Sequence, residues 1–209
     1  MTSNSQTELR ILEAASEVFL RKGKDGARMK EIARKAGINQ ALLHYYFRTK
    51  DRLYEKVLRR EFSRFLDSFL SAVEEESEIQ TFLHNFIDRY IDALAERPEV
   101  VQFVLWEIRQ GGRVFRSVLR RRFGGKEIIN YPFVRLILLA QEKGEIRKVD
   151  PVQLVISLLG MCLYPFIARP ILEKLLLDEG GGFEQFVQAR KEAIFDLVWN
   201  GLRPGAEKP

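Results

Sequence analysis

The sequence predicts an all-α protein of about nine helices: an N-terminal three-helix unit built on a helix-turn-helix, then a larger helical domain. Three observations lead there. Apolar residues recur at helical spacing along nearly the whole chain. Sustained period-2 alternation and Asn-Gly or Asp-Gly hairpin turns are both missing. With 46% apolar and 30% charged residues in 209, the chain has the composition of a packed globular protein, not a disordered one.

The elements run in order. A first helix is predicted over about 5–22, with Leu9, Leu12, Ala15, Val18 and Phe19 on one face, ended by the turn Gly23 to Gly26. A short helix over about 28–36 stops at Gly37, a residue suited to the left-handed position past a helix end. Asn39 can cap the next, about 40–46. Thr49-Lys50-Asp51 opens a long helix to about Glu75, with Leu53, Val57, Phe62 and Val73 at helical spacing and Glu74-Glu75-Glu76 as a solvated end.

Ile79, Phe82, Leu83, Phe86, Ile87, Tyr90, Ile91 and Leu94 form the cleanest apolar stripe. Pro98 starts the next helix, and Gly111-Gly112 and Gly124-Gly125 break the stretch after it. A helix is predicted from about Lys126 to Lys143, bent near Pro132. Asp150-Pro151 starts an apolar helix running to about 177 with a kink or stop near Pro165 or Pro170. After Gly180-Gly181-Gly182 a last helix spans about 183–202, and residues 204–209 read as a disordered tail.

Charge and inventory narrow the function. Residues 1–60 hold 14 Lys and Arg against 7 Asp and Glu, a balance of +7, whereas the remaining 149 residues hold 20 against 22, a balance of −2. A basic end on a neutral body is the electrostatic footprint of a nucleic-acid binder. The lone cysteine, Cys162, excludes an internal disulfide framework and reads as a small buried apolar residue. With only two histidines, His44 and His84, a zinc site has almost no ligands to draw on. No Gly-rich phosphate loop and no nucleophile with an adjacent base is present, so neither an enzyme nor a cofactor is expected. The uncharged run 151–168 contains Pro151, Gln153, Ser157, Gly160 and Pro165, and reads as a helix buried on two sides, not as a membrane span. No signal peptide is read at MTSNSQTELRIL, and a cytoplasmic protein is expected.

The informative stretch is residues 29–58, MKEIARKAGINQALLHYYFRTKDRLYEKVL. Ile32 and Ala33, then Ile38, then Leu43 and Phe47 have the spacing of the small core that fixes the angle between two short helices. Tyr46 and Phe47 belong to that packing and not to a base-stacking surface. Gln40, Ala41, Leu42, His44 and Tyr45 are left on the outer face or tip of the second helix, where such a motif reaches base edges.

Here the chain resembles the TetR family of transcriptional regulators. The resemblance rests on Ile32-Ala33, Ala36-Gly37-Ile38, Leu43, Tyr46-Phe47, Lys50-Asp51 and Leu53, with Ile11, Ala14, Ala15, Phe19, Gly23 and Gly26 upstream, and covers about residues 8–58. It implies a DNA-binding domain over 1–49 and a ligand-sensing and dimerisation domain over 50–203. It places Gln40 where the family reads a base, Ala41 where a small residue meets a thymine methyl, and His44 where a phosphate-binding tyrosine is usual, with Tyr45 beside it. Lys50 matches a phosphate-binding lysine, and Lys30 a position that often carries a contacting arginine; Asn39 is counted with this set. Met29 stands where a hydroxyl residue is frequent, Leu42 where a threonine is common, and Ala27-Arg28 lacks the usual threonine cap, so Arg28 is expected to supply a phosphate contact instead.

For the rest, the resemblance implies a double-stranded DNA operator, a small-molecule effector and a homodimer. Phe65, Phe69, Phe86, Tyr90, Phe103, Trp106, Tyr131 and Tyr164 are expected to line an apolar ligand pocket, with Arg109 and Arg135 as polar partners. The dimer face is expected on the last two long helices, around Leu158, Cys162, Phe166, Ile194, Leu197 and Val198. Arg120-Arg121-Arg122, beside Arg113 and Arg116, reads as a solvated face. A helical protein binding DNA without sequence choice is the alternative reading.

Overall fold

A computed structural model describes residues 3–70, 78–125, 127, 130–175 and 182–205. Among them are eleven helices and no strand: α1 (Ser3–Gly26), α2 (Met29–Lys35), α3 (Gln40–Phe47), α4 (Lys50–Leu70), α5 (Ile79–Glu96), α6 (Glu99–Arg109), α7 (Arg113–Arg122), α8 (Pro132–Glu142), α9 (Pro151–Ile167), α10 (Arg169–Leu175) and α11 (Phe183–Leu202). No described helix is long and apolar enough to cross a membrane. The predicted end of the fourth helix (71–75), the acidic run Glu74-Glu75-Glu76 and the tail residues 206–209 lie outside the described residues.

The chain forms two compact units. The first holds residues 1–64 and 102–119; the second holds 65–101 and 120–209. Helices α4, α6 and α7 contribute residues to both.

In the first unit α1 packs on α2, and α2 on α3. Ile11, Ala15, Val18 and Phe19 are buried from α1, with Ile32, Leu43, Leu53, Val57 and Leu58 from the helices after it. Helix α1 continues past its predicted end, but Gly23 sits at φ 67, so the last residues turn off the helical path. A left-handed φ carries no Cβ penalty only in glycine.

The α6–α7 corner is built around a buried carboxylate. Glu107 is 1% exposed. Its Oε1 accepts hydrogen bonds from Val114 N and, at 3.3 Å, from Phe115 N, two first-turn donors of α7 that have no helical acceptor. The carboxyl oxygen thus meets the positive end of the helix.

The second unit is organised on α5, which packs against α8, α9 and α11. Its whole predicted stripe, from Ile79 to Leu94, is buried. Lys191 Nζ on α11 reaches Asp92 Oδ1 at 2.6 Å and ties those two helices at their edge. Cys162 is fully buried; burial lifts its thiol to about 12, against a smaller opposing pull from Arg190.

Prolines decide two boundaries in this unit. The helix predicted from about Lys126 begins only at Pro132, which takes the first helical position. Tyr131 ahead of it holds ψ 141, because a residue before proline is pushed out of the α region. The apolar helix begins as predicted: Asp150 Oδ1 accepts from Val152 N at 2.8 Å and Gln153 N at 3.2 Å. It ends at Ile167, two residues after Pro165, and Pro170 lies in the first turn of a separate α10. The stop expected near Pro165 or Pro170 is thus found, and Pro170 sits where its missing N–H does least harm.

Replacing Glu107 by alanine strands two buried helix-end donors and should lower the unfolding free energy by about 2 kcal/mol in urea titration. Glu107→Gln keeps an acceptor oxygen and should lose less. Equal stability of Glu107→Ala and the native protein would contradict the capping role.

Candidate nucleic-acid interface

The turn between α2 and α3 is fixed by main-chain bonds. Gly37 N donates to Arg34 O at 3.2 Å and Ile38 N to Ala33 O at 3.0 Å, with Gly37 at φ 66. A left-handed glycine closed by bonds back into the last turn is a helix stop of the Schellman kind. It satisfies the last carbonyls of α2 and places half-buried Ile38 against the motif's core.

Asn39 then starts α3. Its Oδ1 accepts from Leu42 N at 2.7 Å, and its carbonyl takes Leu43 N at 3.2 Å. Leu43 and Phe47 turn inward, at 0% and 6% exposure. Gln40, Ala41, Leu42, His44 and Tyr45 all face solvent, Tyr45 at 77%. Tyr46 is half-buried, and its hydroxyl bonds Asn4 on α1.

His44 has a role that the spacing does not reveal. Its Nδ1 stands 3.0 Å from Arg48 O. A carbonyl only accepts, so Nδ1 carries a proton, and in the neutral ring Nε2 is left as an acceptor. The Gln40 amide donates to that Nε2 at 3.4 Å. The imidazole thus ties the C-terminal turn of α3, where Arg48 holds φ 55, to the side chain at its tip. Gln40 keeps Oε1 and a second N–H, the pair that the adenine edge requires.

Thr49 opens α4: Arg52 N donates to its Oγ1 at 3.2 Å. Lys50 is half-buried, its Nζ 3.3 Å from Ala27 O and 3.4 Å from Asp25 O. An ammonium carries three N–H donors, so one remains for a phosphate oxygen. Arg28 and Lys30 are exposed, and Arg28 is the N-cap residue of α2 with no side-chain cap bond. With Lys22, Arg34, Ile38 and Gln40 they line a groove of about 680 Å³. Four cations face one carboxylate there, Glu31. Lys22 and Arg21 each bond Glu31 at 2.7 Å, and the Lys22 bond foremost holds that carboxyl below the usual range. Arg34 was missed by sequence reasoning, although its i+4 spacing from Lys30 puts it on the same helix face.

The residues expected to line a ligand pocket fall in different units. Phe65, Phe86 and Tyr90 form a buried ring cluster in the second, with Tyr90 5.6 Å from Phe65 and 5.8 Å from Phe86. Burial foremost keeps the Tyr90 hydroxyl protonated. Tyr131 stacks on Phe123 at 4.1 Å, and Arg135 is exposed. Tyr164 is 62% exposed, so it lines no interior wall. Phe103, Trp106 and Arg109 belong to the first unit, and the Phe69 side chain lies outside the described residues. Of the residues expected at a dimer face, Leu158, Cys162, Phe166, Ile194 and Val198 are covered within the chain, because their side of α9 and α11 packs on the chain's own core; only Leu197 is open, at 66%. Among the described residues of this region the exposed large apolar side chains are Ile156, Tyr164, Ile167, Ile171 and Leu197.

A locked turn, a capped helix with a polar outward tip and a cationic groove beside it define a DNA-binding helix-turn-helix protein. Residues 11–57 match the family described as bacterial regulatory proteins, tetR family, and residues 80–198 match the tetracyclin repressor-like C-terminal domain. The chain belongs to the TetR family of transcriptional regulators. It is 28% identical over 179 residues to the HTH-type transcriptional repressor SCO4008 of Streptomyces coelicolor, covering 84% of this chain and 85% of that one. It is 26% identical over 208 residues to the HTH-type transcriptional regulator UidR of Escherichia coli, covering 97% and 95%. In fold it is similar to a TetR-family regulator from Mesorhizobium loti, with TM-score 0.71, 20% identity and 97% and 100% of the two chains covered. It is also similar in fold to FadR of Bacillus subtilis, solved in complex with stearoyl-CoA, with TM-score 0.69, 16% identity and 92% and 98% covered.

Removing the Asn39 cap with Asn39→Ala should cost about 1 kcal/mol of stability by urea titration. Asn39→Ser, which keeps an acceptor oxygen at that position, should recover most of it. A stability unchanged in Asn39→Ala would contradict the capping geometry.

Proposed function

We propose that the protein is a repressor that binds a palindromic operator as a homodimer and is released when a small, largely apolar ligand occupies its C-terminal domain. The observation that carries the DNA half is the exposed face of α3. Gln40, Ala41, Leu42, His44 and Tyr45 are presented together at a capped helix start, with Arg28, Lys30 and Lys50 available to meet phosphates. Gln40 is the base reader in this proposal, and Ala41 and Leu42 make apolar contacts. The Streptomyces coelicolor relative is named a repressor, which supports repression here.

A two-fold operator needs two heads about one helical turn apart, roughly 34–36 Å. The exposed apolar residues of α9, α10 and α11 support pairing of those helices with their mates, with Leu158, Cys162 and Ile194 as the core behind them. The ring cluster of Phe65, Phe86 and Tyr90 supports an apolar effector, as does the stearoyl-CoA bound to the Bacillus subtilis FadR. Release follows if the ligand prefers the arrangement that DNA disfavours. Complete switching from 1:99 to 99:1 takes about 5.5 kcal/mol of preference, which two sites per dimer can share.

Substitutions at the two kinds of contact separate this reading from binding without sequence choice. On the preferred DNA site, Gln40→Ala should cost about 1–3 kcal/mol and relax base preference at one position in each half-site. Lys50→Ala should weaken all sequences alike and flatten the salt dependence by about one unit of slope. Binding curves over a salt series check both. A Gln40→Ala protein that binds every sequence as the native one does would overturn the assignment of base reading to α3.

A further inference from the structure

Within the first unit lies a cleft that DNA reading does not use. It has a volume of about 590 Å³ and is walled by the turn Gly23–Asp25, by Tyr54 on α4, and by Phe103, Trp106 and Arg109 on α6. That volume suits a small organic molecule.

Its floor is aromatic. Tyr54 meets Trp106 edge-on with ring centres 4.6 Å apart, and Phe103 at 5.9 Å. Lys24 Nζ stands 5.2 Å from the centre of the Trp106 ring and 5.8 Å from that of Tyr54, and pairs with Asp51 Oδ1 at 3.2 Å.

Besides the Asp25 carboxylate and the Gln102 amide, its free polar groups are donors. The Tyr54 ring is buried, and its hydroxyl reaches the cleft without a hydrogen-bond partner among the described residues. The Trp106 indole N–H and the Arg109 guanidinium also lack a partner among the described residues. Burial foremost, then the nearby Glu107 and Asp25 carboxylates, keeps the Tyr54 hydroxyl protonated, so it acts as a donor. Arg21, Lys22, Lys24 and Arg109 line the cleft against one carboxylate, Asp25. Arg21 and Lys22 are committed to Glu31, and Lys24 to Asp51, which leaves Arg109 as the uncommitted cation.

We propose that this cleft is a ligand site distinct from the ring cluster of the second unit, and that it takes a flat aromatic carboxylate. The ring lies on the edges and faces of Tyr54, Phe103 and Trp106. The carboxylate accepts from the Arg109 guanidinium and from the Tyr54 hydroxyl, and the cationic rim draws it in. The site adjoins the reading head through the main chain: the Asp25 carbonyl that accepts from Lys50 belongs to a residue of its wall.

The test is calorimetric titration of 2-naphthoate into the full-length protein, with the indole N–H resonance of Trp106 followed by NMR in a Trp199→Phe background. One probe per chain should bind, and the Trp106 resonance should move with saturation. Arg109→Gln should weaken binding about tenfold or more, and Tyr54→Phe should weaken it less. Arg135→Gln, which changes an exposed arginine of the second unit, should leave it unchanged. Binding lost in Arg135→Gln but kept in Arg109→Gln would move the anion to the other unit and overturn the proposal. So would no binding at millimolar probe, or binding that leaves the Trp106 resonance in place.

Discussion

The reading head depends on how the end of α1 is held against the first turns of α4. Gly23 turns the chain off its helical path, and the carbonyls of Asp25 and Ala27 are left to bond outside any helix. Lys50 takes both, Lys24 pairs with Asp51, and Phe19 packs edge-on against Tyr54 with ring centres 4.8 Å apart. Each bond is individually modest, and an exposed ion pair is worth little. Together they set where α2 starts, because only Ala27 and Arg28 separate that turn from Met29. The direction of α2 then sets α3 through the Gly37 stop and the Asn39 cap.

Rigidity of this kind is what DNA reading needs. A helix that must bring Gln40 to a base edge gains nothing from a flexible approach, since the cost of ordering would come out of the affinity. The internal bonds of His44 serve the same end: they order the Gln40 amide before any DNA is present. Lys50 is likewise held by carbonyls before it meets a phosphate. These groups were expected as contacts; they are also parts of the scaffold.

Legibility in the sequence tracked the range of the forces. The α2–α3 turn, the caps at Asn39 and Asp150 and the full stripe of α5 could be read, because each is decided within a few residues. The proline boundaries were half-read: Pro132 and Pro165 were recognised as interruptions, but whether a proline bends a helix or bounds it depends on what the neighbouring backbone can bond to. What could not be read was which apolar face meets which. Periodicity shows that Leu158, Cys162 and Ile194 are apolar, not that the chain's own core claims them and leaves Ile156 and Leu197 open. The aromatic residues of α4 to α6 read as one pocket, because spacing along a helix carries no information about which packed unit a ring joins.

The central claim is that α3 reads a specific, two-fold DNA site. Selection of bound fragments from a random DNA pool at moderate salt tests it most directly. The expected result is enrichment of a palindrome with half-sites about one helical turn apart. A pool that remains featureless after repeated rounds, while the protein still retains DNA, would contradict it.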